Sequence, residues 1–544
     1  MIFHEASPWS NCKLLARSFI QSSFELILAY LQHLHVMSDW EKTPITVPKS
    51  AVTKMLTTSS SPSEETLTDG DHGHITEKVV SKEMGSVDED SHHIFDLEAQ
   101  TVSASPKRFA FLRYTVLTLY RRLFTVVFCV NVGVFIWVML SNQKLLALVN
   151  ATAANLLACG LARQPLVVNS IFRIVLLVPR SAPFALRRIA SKVYHYGGVH
   201  SGCGVAALVW YTGFVGVMSH QYWATRIVSA ITVGSLSAAP VALAYIILVL
   251  LLAIIIVAHP TFRMKRHDYF ELTHRFLGWL IVSLFVALLL VFAHEISQAQ
   301  GQSLGLFLVE LPAFWCLVLT VAAIVQPWLM LRKVPVRAEV LSTHAVRLHF
   351  DHAVTTFGKG TQLAKHPLRD WHGFATFPDP SPAGPRGTPS FSCLVSKAGD
   401  WTADTIKNPP THFWKRGVLL YGFAYSMRVF KKVIVVTTGS GIGPCLSFLG
   451  DANRPELRVL WQTRAPLKTY GQEVMDLVHR MDSHPIIMDT DQMGRVDMVP
   501  IVHRLVAEFN AEAVCVISNP GLTRRIVYEL EARGVPAFGP IFDS

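Results

Sequence analysis

The chain has 544 residues, too many for one domain, with a formal net charge of +11 and 51% hydrophobic residues. Its mean hydropathy of +0.35 is high for a wholly soluble protein, and the excess lies between about residues 109 and 331. The basic residues flank those apolar stretches, which argues against nucleic acid as the partner, and eight scattered cysteines without a CxxC pair argue against a disulfide framework or a zinc site.

Residues 1–107 read as a disordered cytosolic tail. Leu14 to Met37 is apolar but is interrupted by Arg17, Glu25, His33 and His35, so it lacks the clean core of a signal peptide. Residues 38–105 are rich in Ser, Thr, Asp, Glu and His, a composition that buries too little to fold. Residues 108–333 hold six apolar segments, at about 115–140, 145–162, 202–220, 240–258, 276–293 and 309–331. Each approaches the ~20 residues of a membrane-spanning helix, which predicts a six-helix transmembrane bundle in a lipid bilayer. The second is the weakest, diluted by Asn150 and Asn155 and ended by Gln164-Pro165. Arginines and lysines gather before segment one, between two and three, between four and five, and after six, so both termini are expected in the cytosol.

From 334 to 430 short strand-like runs alternate with turns, the pattern of a small antiparallel β-barrel. From 431 to 544 strands at 433–436, 457–462, 485–488 and 514–518 alternate with helices, the pattern of a doubly wound α/β domain. Its first strand runs into Gly439-Ser440-Gly441-Ile442-Gly443-Pro444 and then into a helix. Glycines there let backbone N–H groups approach a diphosphate at the helix N-terminus. The second strand ends in Thr463 and Arg464, with Lys468 behind. A hydroxyl and two cations suit a 2′-phosphate, whereas an acidic residue there would favour NADH; the alternative is that Arg464 and Lys468 are only solvated surface charges.

A barrel before a dinucleotide domain, both after a membrane bundle, resembles the ferric reductase and NADPH oxidase superfamily, with a ferredoxin-NADP reductase-type soluble half. The wording Trp371-His372-Gly373-Phe374-Ala375-Thr376, Gly399-Asp400-Trp401-Thr402 and the terminal Asp543-Ser544 is similar to fungal TmpA-type integral membrane flavoproteins. The resemblance implies an FAD-binding barrel, an NADPH-binding α/β domain and a plasma-membrane location. It places His372, Phe374 and Thr376 against the flavin, alternation setting them on one strand face, and Gly399, Asp400, Trp401 and Thr402 at the FAD diphosphate. Gly373 and Ala375 depart from the family's His-Pro-Phe-Thr, and Ser518 stands where the family has cysteine. The glycine loop then holds NADPH. Phe542 is the candidate for the family's terminal aromatic over the flavin. Cys445 either lies near the reactive ring or is a small buried residue.

The same family ligates haem with paired histidines on its third and fifth helices. Here His200 and His220, and His274 and His294, are each 20 residues apart, or about 30 Å along a helix, too far for the family's two haems. One haem between His195 or His200 and His274 remains open, and His200 and His274 are the candidate ligands. The expected function is therefore a membrane-bound NADPH-dependent FAD oxidoreductase that passes electrons to a small-molecule acceptor. A haem-dependent transmembrane ferric reductase or NADPH oxidase is one alternative, and a signalling or scaffold flavoprotein is another.

Overall fold

A computed structural model describes residues 107–141, 145–228, 237–379 and 390–541. The N-terminal tail and Phe542 lie outside the described residues. The first helices are α1 (Leu119–Ser141), α2 (Leu145–Leu161), α3 (Pro165–Val175) and α4 (Phe184–Ala190). A short 3-10 turn (Ser191–Tyr196) leads into α5 (Gly197–Val228). Then follow α6 (Ala238–Val257), α7 (Pro260–Lys265), α8 (His267–Gln300), α9 (Leu304–Glu310) and α10 (Pro312–Leu329).

Among the described residues, five helices are long and apolar enough to cross a membrane: α1, the run Phe184–Ala224, α6, α8 and α10. A sixth span exists only if α2 and α3 count as one, and they are bent by 74°. The cause is local. Gln164 accepts a hydrogen bond from Val167 N at 2.8 Å and Pro165 fills the first position of α3, so a new helix starts where the old one ends. The two asparagines that dilute α2 are satisfied. Asn155 donates to Asn131 Oδ1 (2.9 Å), which also accepts from the Trp210 indole (2.9 Å), and Asn150 Oδ1 accepts from Ala313 N (2.9 Å) at the start of α10. Outward apolar side chains such as Val130, Trp137, Val249 and Ile256 are largely exposed.

The expected barrel consists of two antiparallel sheets rather than one continuous ladder among the described residues. One joins β1 (Arg332–Pro335), β8 (His412–Lys415), β4 (Lys359–Ala364) and β5 (His372–Ala375), with β9 (Leu420–Tyr421) also on β4. The other has the order β2 (Arg337–Val340), β3 (Ala345–Phe350), β7 (Phe391–Ser396), β6 (Phe377–Pro378). Helix α11 (Asp400–Lys407) follows β7.

The last region is a parallel sheet in the order β12 (Ile486–Asp489), β11 (Glu456–Thr463), β10 (Lys432–Thr438), β13 (Ala513–Ile517), β14 (Ala537–Phe538). Its helices are α12 (Ile442–Cys445), α13 (Pro466–Met481), α14 (Thr490–Met493), α15 (Met498–Phe509) and α16 (Pro520–Ala532). Both faces are buried, as continuous β-branched strands require. Val433 and Val435 point into the core with Val474 and Val478 of α13, whereas Ile434 and Val436 meet Ile501, Val502 and Ile526 of α15 and α16. Val168 and Phe172 of α3 belong to the first of these cores, so the bent helix is built into the α/β region. Two further bonds fix that junction: Gln164 Nε2 donates to Gln326 Oε1 at 2.9 Å, and Gly417 N donates to Pro327 O at 3.1 Å.

Candidate functional site

Strand β5 presents His372 and Phe374 half-buried. Trp401, from the first turn of α11, lies over both: 4.3 Å from the His372 ring and 5.7 Å from Phe374, stacked at 25° on the latter. Thr376 does not join this face. The strand ends at Ala375, and Thr376 is fully buried, its hydroxyl donating to Lys359 O (2.9 Å) and meeting Thr355 Oγ1 (2.5 Å). It clasps the barrel rather than lining the aromatic face.

The Gly399–Thr402 turn is held by its own threonine. Thr402 Oγ1 accepts from Ala398 N (2.8 Å) and Gly399 N (3.0 Å), so the donors left for an anion are those of the first turn of α11. Gly399 and Asp400 are exposed there. Lys365 reinforces the same end, with its ammonium 5.1 Å from the Trp401 ring and 2.5 Å from Asp404. Sequence spacing gave no sign of Lys365, because it reaches the turn only through the β4 pairing. The His372 Nε2 is buried without a hydrogen-bond partner, an unspent polar atom on the aromatic face. Burial holds the His372 pKa below its ordinary value, against the pull of Glu271 and Asp370, so the imidazole is neutral near pH 7. An aromatic face, a neutral orphan imidazole and a helix start beside a lysine fit a flavin dinucleotide.

The glycine loop is wedged in place by close approach. A Cβ on Gly441 would lie 2.3 Å from Ile517 O and 2.4 Å from Thr437 Oγ1, and Gly439 has φ +48°, its carbonyl bonded to the Trp461 indole at 2.9 Å. Ser440 is exposed, Pro444 half-buried, and Ile442 and Gly443 are buried. Gly443 abuts the barrel, since a Cβ there would sit 3.1 Å from Leu394 Cβ of β7. Cys445 is completely buried, its thiol donating to Gly441 O at 3.1 Å, and burial pushes its pKa up to about 12. Of its two sequence readings the structure matches the small buried residue; a neutral enclosed thiol reaches no reacting atom here. Ser518 bonds Thr438 across the strand ends, and Asn519 caps α16 by accepting from Leu522 N (3.0 Å).

At the end of β11, Thr463 is buried while Arg464 and Lys468 are exposed. Arg464 pairs with Asp491 at 3.0 Å, its side chain 80% exposed, so its charge is half-answered but free to reorient. A glycine loop exposed at Ser440, with two exposed cations past the end of the adjacent strand β11, fits a nicotinamide dinucleotide bearing a 2′-phosphate.

The membrane-sized helix α8 is docked directly on the lead-in to β5. Arg275 donates to Leu368 O (3.3 Å) and Arg369 O (3.1 Å), and Glu271, paired with Arg275, accepts from Trp371 N (3.4 Å). Trp279, Trp328 and Trp371 form an aromatic run with ring separations of 5.2 and 6.1 Å, and Arg416 lies 4.4 Å from the Trp371 ring. Glu271 is thus spent on Arg275 and Trp371, and His274 Nδ1 is left buried without a partner.

His274 faces His200 of α5, with ring centroids 6.3 Å apart at 63°. Two ~2 Å metal–nitrogen bonds and two imidazole half-widths span such a separation. His200 Nδ1 is bonded to Cys159 O at 2.9 Å, the contact that fixes a ligating histidine's tautomer. His200 and His274 are the residues that would hold one haem here, were it bound. His195 bonds back to Lys192 O (2.9 Å), and His220 and His294 are exposed. No group of three or more metal-ligating side chains exists among the described residues.

Residues 423–544 match the family model described as the C-terminal domain of Adenylate-forming reductase 03009. Two Coprinopsis cinerea proteins are similar over 80% of this chain: Adenylate-forming reductase 03009, 42% identical over 434 residues, and Adenylate-forming reductase 06235, 41% identical over 435 residues. The chain spans about two fifths of the length of these relatives, 41% of each. Among solved structures, a Neisseria gonorrhoeae ferredoxin NADP+ reductase with bound FAD and NADP is 11% identical, with a TM-score of 0.31 over 39% of this chain and 99% of its own. A Malassezia yamatoensis flavohemoglobin with bound FAD and heme is 13% identical, with a TM-score of 0.33 over 62% of this chain and 97% of its own. At these scores neither likeness carries an argument about this chain's ligands.

Proposed function

We propose that the chain is a membrane-embedded, NADPH-dependent FAD oxidoreductase of the ferric reductase-like type, similar to TmpA-type flavoproteins. Of the two chemistries in the relatives' name, this site supports reduction. The observation that carries the reading is the contact of the glycine loop at Gly443 with Leu394 of the barrel, which puts the nucleotide turn against the sheet pair that bears the aromatic face. When bound, FAD accepts a hydride from NADPH and releases electrons singly or in pairs. The residues supply position. His372, Phe374 and Trp401 offer the flat face, the α11 start and Lys365 the anion end, and the 439–444 loop with Thr463, Arg464 and Lys468 the NADPH end. The membrane-sized helices lie in a lipid bilayer, with the termini in the cytosol and the plasma membrane as the location. The electron acceptor is a small molecule.

A second reading is favoured by the facing rings of His200 and His274: one haem held between α5 and α8, next to the flavin strand through Arg275. One experiment tests both. The protein is purified in detergent and its visible spectrum is recorded before and after anaerobic NADPH. Flavin bands that bleach support the oxidoreductase, and a Soret band that shifts on reduction adds the haem. Absence of any flavin overturns the proposal and leaves a scaffold.

A further inference from the structure

A cavity of about 590 Å³ lies where α3 meets the first barrel sheet, and none of His372, Phe374, Thr376 or 399–402 lines it. Its charged lining is entirely cationic: Arg173 of α3, Arg332 of β1, Lys359 of β4 and Lys415 of β8. Arg332 and Lys415 are direct cross-strand partners in the antiparallel β1–β8 pair. Like charges so placed repel and destabilise a sheet. Lys415 is also only 5% exposed, and no carboxylate lies within ion-pair distance of any of the four among the described residues. Behind it, His352 is held with both ring nitrogens buried and unpartnered. Burial and the Arg332 charge bring the Lys415 pKa down to about 8. A buried cation facing another cation, with no anion from the chain, is a cost the fold carries unless something outside supplies the negative charge.

The mouth of the cavity has a definite character. Asn169 ties α3 to the barrel, donating to Leu419 O and accepting from Tyr421 N, both at 2.9 Å. One turn on, Arg173 sits 5.9 Å from the Tyr421 ring, which Lys359 also approaches at 5.2 Å. The rim is apolar: Leu166 and Val354 are 46% and 59% exposed, and Met330, just past α10, is 40% exposed. An apolar rim beside the exposed Arg173 and Arg332, with Lys359 half-buried and Lys415 buried beneath them, matches an amphiphile with an anionic head.

We propose that this cavity binds an anionic phosphate group, presented as the headgroup of an acidic phospholipid. The lipid source rests on the membrane placement proposed above; the phosphate chemistry does not. Lys415 and Arg332 hold the phosphate oxygens, Lys359 and Arg173 close the mouth, and the acyl chains leave past Leu166 and Met330.

The test is a melting curve of the full chain, delipidated in a neutral maltoside detergent and titrated separately with dioctanoyl phosphatidic acid, dioctanoyl phosphatidylcholine and inorganic phosphate. Phosphatidic acid is expected to raise the melting midpoint saturably, with inorganic phosphate at least tenfold weaker and phosphatidylcholine without effect. Lys415→Met and Lys359→Gln are each expected to weaken phosphatidic acid about tenfold, and Lys359→Gln, at a half-exposed site, gives the reading if Lys415→Met fails to fold. Inorganic phosphate binding as tightly as phosphatidic acid overturns the lipid assignment in favour of a soluble phosphate. No saturable shift from either, or equal shifts in wild type and variants, overturns the site. The readout involves no NADPH turnover, so it fails separately from the oxidoreductase reading.

Discussion

Arg187 of α4 reaches the α/β region and holds Glu512 with both terminal nitrogens, at 2.7 and 2.9 Å, where the side chains are 7% and 22% exposed. The same guanidinium donates to Ala182 O (3.0 Å) and Val429 O (3.2 Å), so it ties the helical region, the barrel's last turn and the edge of β13 at one point. Arg187→Ala strands a part-buried carboxylate. It is expected to cost on the order of 2–3 kcal/mol, below the ~3–5 kcal/mol of a fully buried pair because Glu512 keeps some solvent. Burial works against the ionised Glu512, but Arg187 and the Lys431 N–H prevail and its pKa lies below the ordinary value. The stabilisation is therefore complete above the unfolded carboxyl's pKa and is lost as pH falls through the lower folded value. Denaturant melts of wild type and variant should converge at acid pH.

Gly441→Ala places a methyl 2.3 Å from a backbone carbonyl that cannot retreat without breaking β13. The expected result is a drop in stability of about 1–3 kcal/mol and loss of NADPH binding, read by quenching of nucleotide fluorescence. A variant that binds NADPH normally would remove the loop from the site.

Arg464→Ala should raise KM for NADPH about three- to tenfold and leave KM for NADH unchanged, the difference shrinking at high salt as expected for an exposed charge. Steady-state rates with an artificial acceptor measure this.

The Lys415 pKa of about 8 makes a separate prediction in delipidated protein. Its folded value is below its unfolded one, so the unfolded chain binds more protons between the two, and stability rises as pH climbs from about 8 toward the ordinary lysine value. Lys415→Met should abolish that rise and stabilise the protein at pH 7, as removal of an unpaired buried charge does.

If the haem reading holds, His274→Ala abolishes any Soret band while leaving the flavin spectrum intact; a Soret band that survives places the iron elsewhere.

The unbroken apolar run Val433 to Val436, the glycine turn and the apolar spans are legible because each depends on neighbours in sequence. Thr376 was misplaced on the flavin face because alternation assumes the strand continues, and β5 stops one residue short of it. Histidine spacing along each helix speaks only against the two-haem arrangement and leaves His200 with His274 as a pair across two helices; the structure brings those two rings to 6.3 Å, a distance no periodicity encodes. The Arg332–Lys415 pair was hidden for the same reason, being a matter of strand register. Trp401 is read in GDWT as part of a phosphate turn, yet its ring covers β5, which only the packing of α11 reveals.

Pro327 interrupts α10 near its end, and its carbonyl is taken by the Gly417 amide of the barrel at 3.1 Å, while one residue earlier Gln326 grips Gln164 at the α2–α3 corner. Such a joint is keyed rather than tethered: the strand region meets the ends of α10 and α2 through bonds on consecutive residues, and Val168 and Phe172 of α3 are packed in the α/β core besides. Altering Gln164 or Gly417 therefore acts on the helices and on the strands at once.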